Sequence, residues 1–224
     1  MKNGKMVSSL QEAIRLSGLQ DGMTFSCHHH LRNGDRVMNL VCGTLEELGF
    51  HELTLNASSI HNVHAPIVRQ IEHGVITKII SPFIGGEVGN AISQGKMENP
   101  TVFCTHGARP SDLESGKTHI DVAFIAAPSS DVMGNFTGKF GPSACGAMGY
   151  IFCDAICADK VVVITDNLVD YPLVDFTVSE VNVDYIVKVD SIGDPSGIVS
   201  STTSITRDPV ALRIADTTAQ AIRA

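Results

Sequence analysis

Apolar residues fall into two rhythms along this chain: short β-branched runs alternate with stretches whose apolar positions recur every three or four residues. Ser9-Leu10-Gln11-Glu12 has the form of a capping box. It opens a helix with Leu10, Ala13 and Ile14 on one face and a stop near Gly18. The run "MTFSCHH" then reads as a strand. Asp35 is placed to cap a helix carrying Val37, Met38, Val41, Leu45 and Leu48, with Gly49 ending it. "ELTLNA" follows as a strand and "VHAPIVRQIEHG" as a helix, with Pro66 in its first turn and Gly74 after its end.

"VITKII", "TVFCTH", "IDVAFIAA" and "KVVVIT" are further short strands, several of them apolar on both faces. That pattern belongs to parallel strands covered by helices on each side. "VDYIVKVD" alternates and fits a late or edge strand. The final "RDPVALRIADTTAQAIRA" starts a helix at Asp208 before Pro209 and meets no stopping glycine before Ala224. Either that helix docks or more sequence follows it. The alternation predicts an α/β fold, a mostly parallel doubly wound sheet with helices on both faces. With no internal repeat, low-complexity segment or clear linker, residues 1–224 are expected to form a single domain.

Composition narrows the functional classes. A hydrophobic share of 43%, 18% charged residues and 20 glycines describe a tightly turned globular chain. No apolar run approaches ~18 residues and the N-terminus lacks a basic-then-apolar signal pattern, so no membrane span or export signal is expected. The formal charge of −8, with no Lys/Arg cluster to offset it, argues against nucleic-acid binding. Cys27, Cys42, Cys104, Cys145, Cys153 and Cys157 are scattered through apolar stretches, which fits reduced thiols and a cytoplasmic location better than a disulfide framework.

Three clusters carry candidate chemistry. In the first, "TFSCHHHLRNGDRVMNLV", residues 24–41, three histidines stand between a strand and a helix. On a strand His28 and His30 share one face and His29 takes the other, so the three do not converge on one metal ion and no metal is expected. The triplet sits at the carboxyl end of a predicted parallel strand, the edge where open α/β sheets bind ligands. Backbone N–H groups around Asn33–Arg36, the helix dipole, Arg32 and Arg36 all favour an anion there. The competing reading is that the histidines only satisfy strand-end hydrogen bonds.

The second cluster, "CTHGARPSDLESG", repeats the grammar with His106, Gly107 and Arg109 before a capping box Ser111-Asp112-Leu113-Glu114. The third, "APSSDVMGNFTGKFGPSACGAMGY", holds Asp131, Gly134, Asn135, Gly138, Gly141, Gly146 and Gly149. Such glycine density either lets backbone approach a ligand closely or makes tight turns. "IGGEVGNAISQG" lacks both the G-x-G-x-x-G spacing and a Walker lysine, and there is no G-x-S-x-G elbow.

The runs "SLQEAIRLSGLQDGMTFSCHHHLRNGD", "LTLNASSIHNVHAPIV", "THGARPSDLESGKTHIDVAFIAAPSSDVMGN", "SACGAMGY" and "DNLVDYP" resemble the N-terminal half of the citrate lyase alpha subunit, a citrate CoA-transferase. The resemblance implies a CoA-transferase-like domain, the first of two related domains. It also implies exchange of acetyl for citryl on a thioester carrier through a mixed anhydride. No covalently bound cofactor is implied. The thioester substrate is CoA or the phosphoribosyl-dephospho-CoA arm of an acyl carrier protein.

The implied partners are citrate and an acetyl thioester, the acyl carrier (gamma) and lyase (beta) subunits, a second CoA-transferase-like domain, and further copies in an oligomer. The implied site residues are His28, His29, His30, Arg32, Gly34, His106, Gly107 and Arg109 for citrate, with Gly134, Asn135, Ala144 and Gly146 for the thioester arm. No catalytic group is assigned among them. This sequence departs from the family pattern at Asn33 and Ala108, where the family carries glycine. Two other functions share the architecture: a non-catalytic half or assembly subunit, and a sugar-phosphate isomerase or ligand-sensing domain.

Overall fold

The computed structural model describes residues 4–198 and 206–223. Half of the expected capping box of the first helix forms: Ser9 Oγ accepts the Glu12 N–H at 3.2 Å, while Glu12 reaches past Ser9 to the Ser8 N–H at 2.8 Å. After β1 (Met6–Val7), helix α1 (Leu10–Ser17) leads into β2 (Thr24–Cys27) and α2 (Val37–Glu47). Asp35 caps α2 as its sequence position predicts, with its carboxylate accepting the Val37 and Met38 N–H groups at 3.2 and 3.0 Å.

The chain continues through β3 (Leu53–Ala57), α3 (Ile67–Glu72), β4 (Ile76–Ser81), α4 (Gly86–Ser93) and β5 (Val102–Phe103). Helix α5 (Ala108–Glu114), β6 (Val122–Ala127), β7 (Ser129–Asp131) and β8 (Phe136–Thr137) follow. Helix α6 (Ile151–Cys157), β9 (Lys160–Thr165), β10 (Leu168–Val169), β11 (Tyr185–Lys188) and α7 (Pro209–Arg223) complete the order.

Eight strands form one sheet in the order β1-β11-β9-β6-β2-β3-β4-β5, and every pairing in it is parallel. Central strands β6 and β9 are buried along nearly their whole length, as their unbroken apolar runs require. Helix packing divides the core in two. One cluster gathers α1, α2 and α3 residues such as Ile14, Met38, Leu45 and Ile67, and the other gathers Leu113, Ile151, Phe136 and Val163. The second sheet, β10-β7-β8, is small and mixed, with β7 and β8 antiparallel.

Three sequence expectations shift. "VDYIVKVD" is late but not an edge strand, because β11 pairs β9 on one side and the two-residue β1 on the other. Ser111 does not start a helix. α5 begins three residues earlier because Thr105 Oγ1 accepts the Ala108 N–H at 3.0 Å and Pro110 needs no partner in the first turn. The last helix does begin at Asp208, whose carboxylate accepts the Val210 N–H at 3.0 Å, but it carries no buried residue. No helix among the described residues is long and apolar enough to cross a membrane.

Candidate functional site

Strand order reverses at one place. From β2 the chain steps outward through β3, β4 and β5, whereas β6 lies on the other side of β2 and leads toward β9 and β11. A crevice opens at the carboxyl ends of the strands at such a switch point. The histidine triplet leaves β2 at this point, and a cavity of about 310 Å³ occupies it. One wall is His28, His29, His30, Arg32 and Ser58; the other is Cys145 with residues 147–150. That size is at the small-molecule scale.

Each histidine is held differently. The strand ends at Cys27, so the triplet lies on a turn rather than a strand, yet its rings still separate. His29 Nδ1 sits 2.7 Å from Ser58 Oγ, with its ring 5.6 Å from that of His61. His30 Nε2 donates to the Ala126 carbonyl at 2.8 Å, tying the turn to the end of β6. Burial pushes the His29 ring down to about 3, helped by the imidazoles of His61, His28 and His30 and by Arg32. Burial likewise pushes His30 down to about 4, against the pull of its bond to Ala126. Both rings are therefore neutral near pH 7. His61 is also lowered, chiefly by burial. His64 completes the bank: its Nδ1 accepts the His61 N–H at 2.9 Å and its Nε2 meets Asp35 Oδ2 at 3.1 Å.

Arg32 occupies the left-handed region with φ 52°, a strained setting for a non-glycine residue. Its side chain is exposed and takes no hydrogen-bond or ion-pair partner among the described residues. The cavity thus offers one unengaged guanidinium beside neutral imidazoles, a combination suited to a carboxylate-bearing ligand.

Behind this wall lies a buried charge cluster. His28 Nε2 is 2.8 Å from Asp154 Oδ2. Arg109 grips the same carboxylate at 2.6 and 2.8 Å and donates through Nε to Asn56 Oδ1 at 3.1 Å. Burial alone would raise the Asp154 carboxyl, but the adjacent His28 and Arg109 more than offset it and hold it below the usual carboxylate range.

The opposite wall depends on a close backbone approach. A Cβ at Gly138 would stand 2.3 Å from the Gly146 carbonyl oxygen and 2.7 Å from Met148 Cγ. The Gly138 carbonyl accepts N–H groups from both Cys145 and Gly146 at 2.9 Å. This anchors the segment that presents Cys145, Gly149 and Tyr150 to the cavity. Burial pushes the Cys145 thiol up to about 11, so it is protonated and weakly nucleophilic.

The expected residues separate into groups. His28, His29, His30 and Arg32 line the cavity together. His106 and Gly107 are exposed and outside the cavity lining, with the His106 ring 5.9 Å from that of Tyr150. Arg109 is buried behind the cavity and fully engaged by Asp154 and Asn56. Gly34 packs against the other side of the turn, with a hypothetical Cβ 2.4 Å from the Asp194 carbonyl oxygen. The N–H groups near Asn33–Arg36 are not open to an anion, because Asp35 occupies the α2 terminus and the Arg36 N–H bonds the Ile192 carbonyl at 3.0 Å.

Ala144 and Gly146 flank Cys145 in sequence but lie outside the cavity lining. Gly134 and Asn135 belong to a separate nest: Asp131 Oδ1 accepts the N–H groups of Met133, Gly134 and Asn135 at 2.9, 2.9 and 3.1 Å. Asn135 in turn reaches Glu180 Oε2 at 2.9 Å.

Ser58, Tyr150 and Asp154 escaped the sequence reading. Ser58 follows β3, so the carboxyl-edge rule that singled out the triplet applied to it equally. Asp154 was marked by being the lone acid in the apolar run "IFCDAIC", since a carboxylate there needs a buried partner. For a metal ion, His119, Asp121 and Asp159 are the described group whose ligand atoms lie within 4.8 Å of one another; they sit at the amino ends of β6 and β9, away from the cavity.

Known proteins resemble this chain in sequence and fold. The citrate lyase alpha chain of Haemophilus influenzae is 44% identical over 221 residues, covering 99% of this chain and 44% of that relative. A crystal structure of the putative alpha subunit of citrate lyase from Streptococcus mutans, in complex with citrate, superposes with a TM-score of 0.95 at 46% identity. That match covers 99% of this chain and 43% of the other, so the chain spans less than half the length of these relatives. Glutaconate coenzyme A-transferase from Acidaminococcus fermentans aligns over 87% of this chain and 77% of its own, with a TM-score of 0.62 at 12% identity, a likeness of fold alone. A family model of the citrate lyase alpha subunit matches residues 3–224. The chain belongs to the citrate lyase alpha subunit family.

Proposed function

We propose that this chain supplies the citrate-binding half of a citrate CoA-transferase site. The observation that carries the proposal is the switch-point cavity, where unpaired Arg32 stands beside the neutral rings of His29 and His30. Citrate in the Streptococcus relative supports the choice of ligand, and the CoA-transferase fold supports the choice of chemistry. In this reading residues 1–224 form one CoA-transferase-like domain, and a second related domain completes the site. The whole works in the cytoplasm, in an oligomer with acyl carrier and lyase subunits.

The reaction balances without a covalent enzyme intermediate. A citrate carboxylate oxygen attacks the acetyl thioester carbon of a CoA-like arm, the C–S bond breaks, and the thiolate departs from an acetyl–citryl anhydride. The thiolate then attacks the citryl carbonyl, forming the citryl thioester and releasing acetate. Among the described residues no carboxylate lines the cavity, which is consistent with an external carboxylate as nucleophile.

Arg32 clamps a citrate carboxylate. Holding nucleophile and thioester in attack geometry contributes roughly 7–11 kcal/mol. Each donor aimed at the developing oxyanion contributes about 3 kcal/mol. The test mixes citrate and acetyl-CoA with this chain alone, and then with the remaining half of a full-length relative supplied in trans. Exchange only in the mixture supports the half-site. Exchange by the isolated chain refutes the need for a second half, and no exchange in either case favours a non-catalytic subunit. Turnover of a phosphosugar instead would favour an isomerase.

A further inference from the structure

Four elements meet behind the cavity in one buried cluster around a carboxylate and the guanidinium that grips it. Asp154 comes from α6, Arg109 from α5, Asn56 from β3 and His28 from the turn after β2. Asp154 is fully buried and Arg109 nearly so, at 0% and 2% exposure. A buried ion pair recovers little stability beyond its desolvation cost, and apolar pairs of similar volume often fold equally well. Packing therefore does not account for this pair. Its geometry does: Arg109 takes both carboxylate oxygens at 2.6 and 2.8 Å, which fixes the carboxylate plane and leaves Oδ2 against His28 Nε2 at 2.8 Å.

We infer that Asp154 is a positioning residue for this site, holding the His28 ring in its Nε2–H tautomer and at a fixed angle on the cavity wall, with Arg109, itself braced by Asn56, anchoring the carboxylate. The inference rests on the citrate reading above for what the ring then does: its other nitrogen, Nδ1, buried and without a partner among the described residues, is an acceptor left for the citrate hydroxyl. The Nε2 contact lies off the ring N–H axis. Catalytic hydrogen bonds commonly align only in the substrate complex. Removing the carboxylate frees the ring to exchange tautomers and rotate, so the loss falls on turnover more than on citrate affinity.

The test uses histidine-selective 15N labelling of this chain, with the His28 signals assigned through His28→Gln, and citrate exchange in the mixed-half assay. The variants are Arg109→Met/Asp154→Leu, which replaces the pair by apolar groups, and Asp154→Asn, which keeps size but exchanges one accepting oxygen for a donor. Wild type is expected to show one tautomer, protonated at Nε2. The folded variants are expected to show tautomer mixing, a fall of about 10–100-fold in kcat, and a citrate KM changed less than about threefold. Asp154→Glu should restore part of kcat.

An unchanged His28 tautomer, or unchanged kcat in a folded variant, overturns the inference. So does failure of both variants to fold, since that assigns the pair to stability. If wild type shows no exchange at all, the citrate CoA-transferase reading fails, and the tautomer measurement still decides the role of Asp154.

Discussion

His30 and Ala126 join the two halves of the sheet across its switch point, with the imidazole Nε2–H donating to the carbonyl at 2.8 Å. The bond makes Nε2 the protonated nitrogen and leaves Nδ1 buried without a partner. His30→Leu breaks that tie and should cost about 1 kcal/mol in denaturant unfolding. It should also weaken citrate binding about tenfold by calorimetry. Full citrate affinity in the folded variant would remove His30 from the site.

Protonation couples to both stability and binding. An unfolded histidine titrates near 6.5, whereas native His29 and His30 titrate at about 3 and about 4. The unfolded chain binds more protons between these values, so this contribution is intact above pH 6.5 and is lost as pH falls toward about 4. The melting temperature should therefore decline across that window, and less steeply in His30→Leu. A bound polycarboxylate raises the same rings, so citrate binding at about pH 5, just above the His30 value of about 4, should take up protons. Calorimetry in buffers of different ionisation enthalpy measures this uptake, and a binding heat independent of buffer would contradict it.

Arg32 separates function from stability. Its φ of 52° suits glycine, and its side chain takes no hydrogen-bond or ion-pair partner among the described residues. Arg32→Gly should leave the melting temperature unchanged or raise it, with a stability change of about 1 kcal/mol at most. The same variant should weaken citrate at least tenfold. Equal affinity would show that the guanidinium is no clamp.

Gly138 sets the second wall. A methyl group there meets the Gly146 carbonyl at 2.3 Å, and backbone cannot yield as a flexible side chain can. Gly138→Ala should cost about 1–3 kcal/mol and displace the Cys145–Tyr150 segment. Wild-type stability on denaturant titration would contradict this account of the loop.

The fold was legible because buried parallel strands must be apolar on both faces, as "KVVVIT" is, and because caps such as Ser9 and Asp35 announce helices locally. The start of α5 was less legible: Thr105 and Ser111 both offer a hydroxyl, and only tertiary placement selects between them. In the site, position at a strand's carboxyl end pointed to His28, His29, His30 and Arg32, which the structure brings together at one cavity, without knowledge of strand order. Arg109 and Asn135 could not be sorted from residues alone. A buried guanidinium paired with Asp154 and a loop-stapling amide look, in sequence, like ligand contacts.

The most direct measurement is a crystal structure of this chain grown with citrate. The account predicts citrate in the switch-point cavity, with one carboxylate on the Arg32 guanidinium and the ligand between the His28–His30 turn and the Cys145–Tyr150 segment. Citrate bound elsewhere on the molecule, with that cavity unchanged, would contradict it.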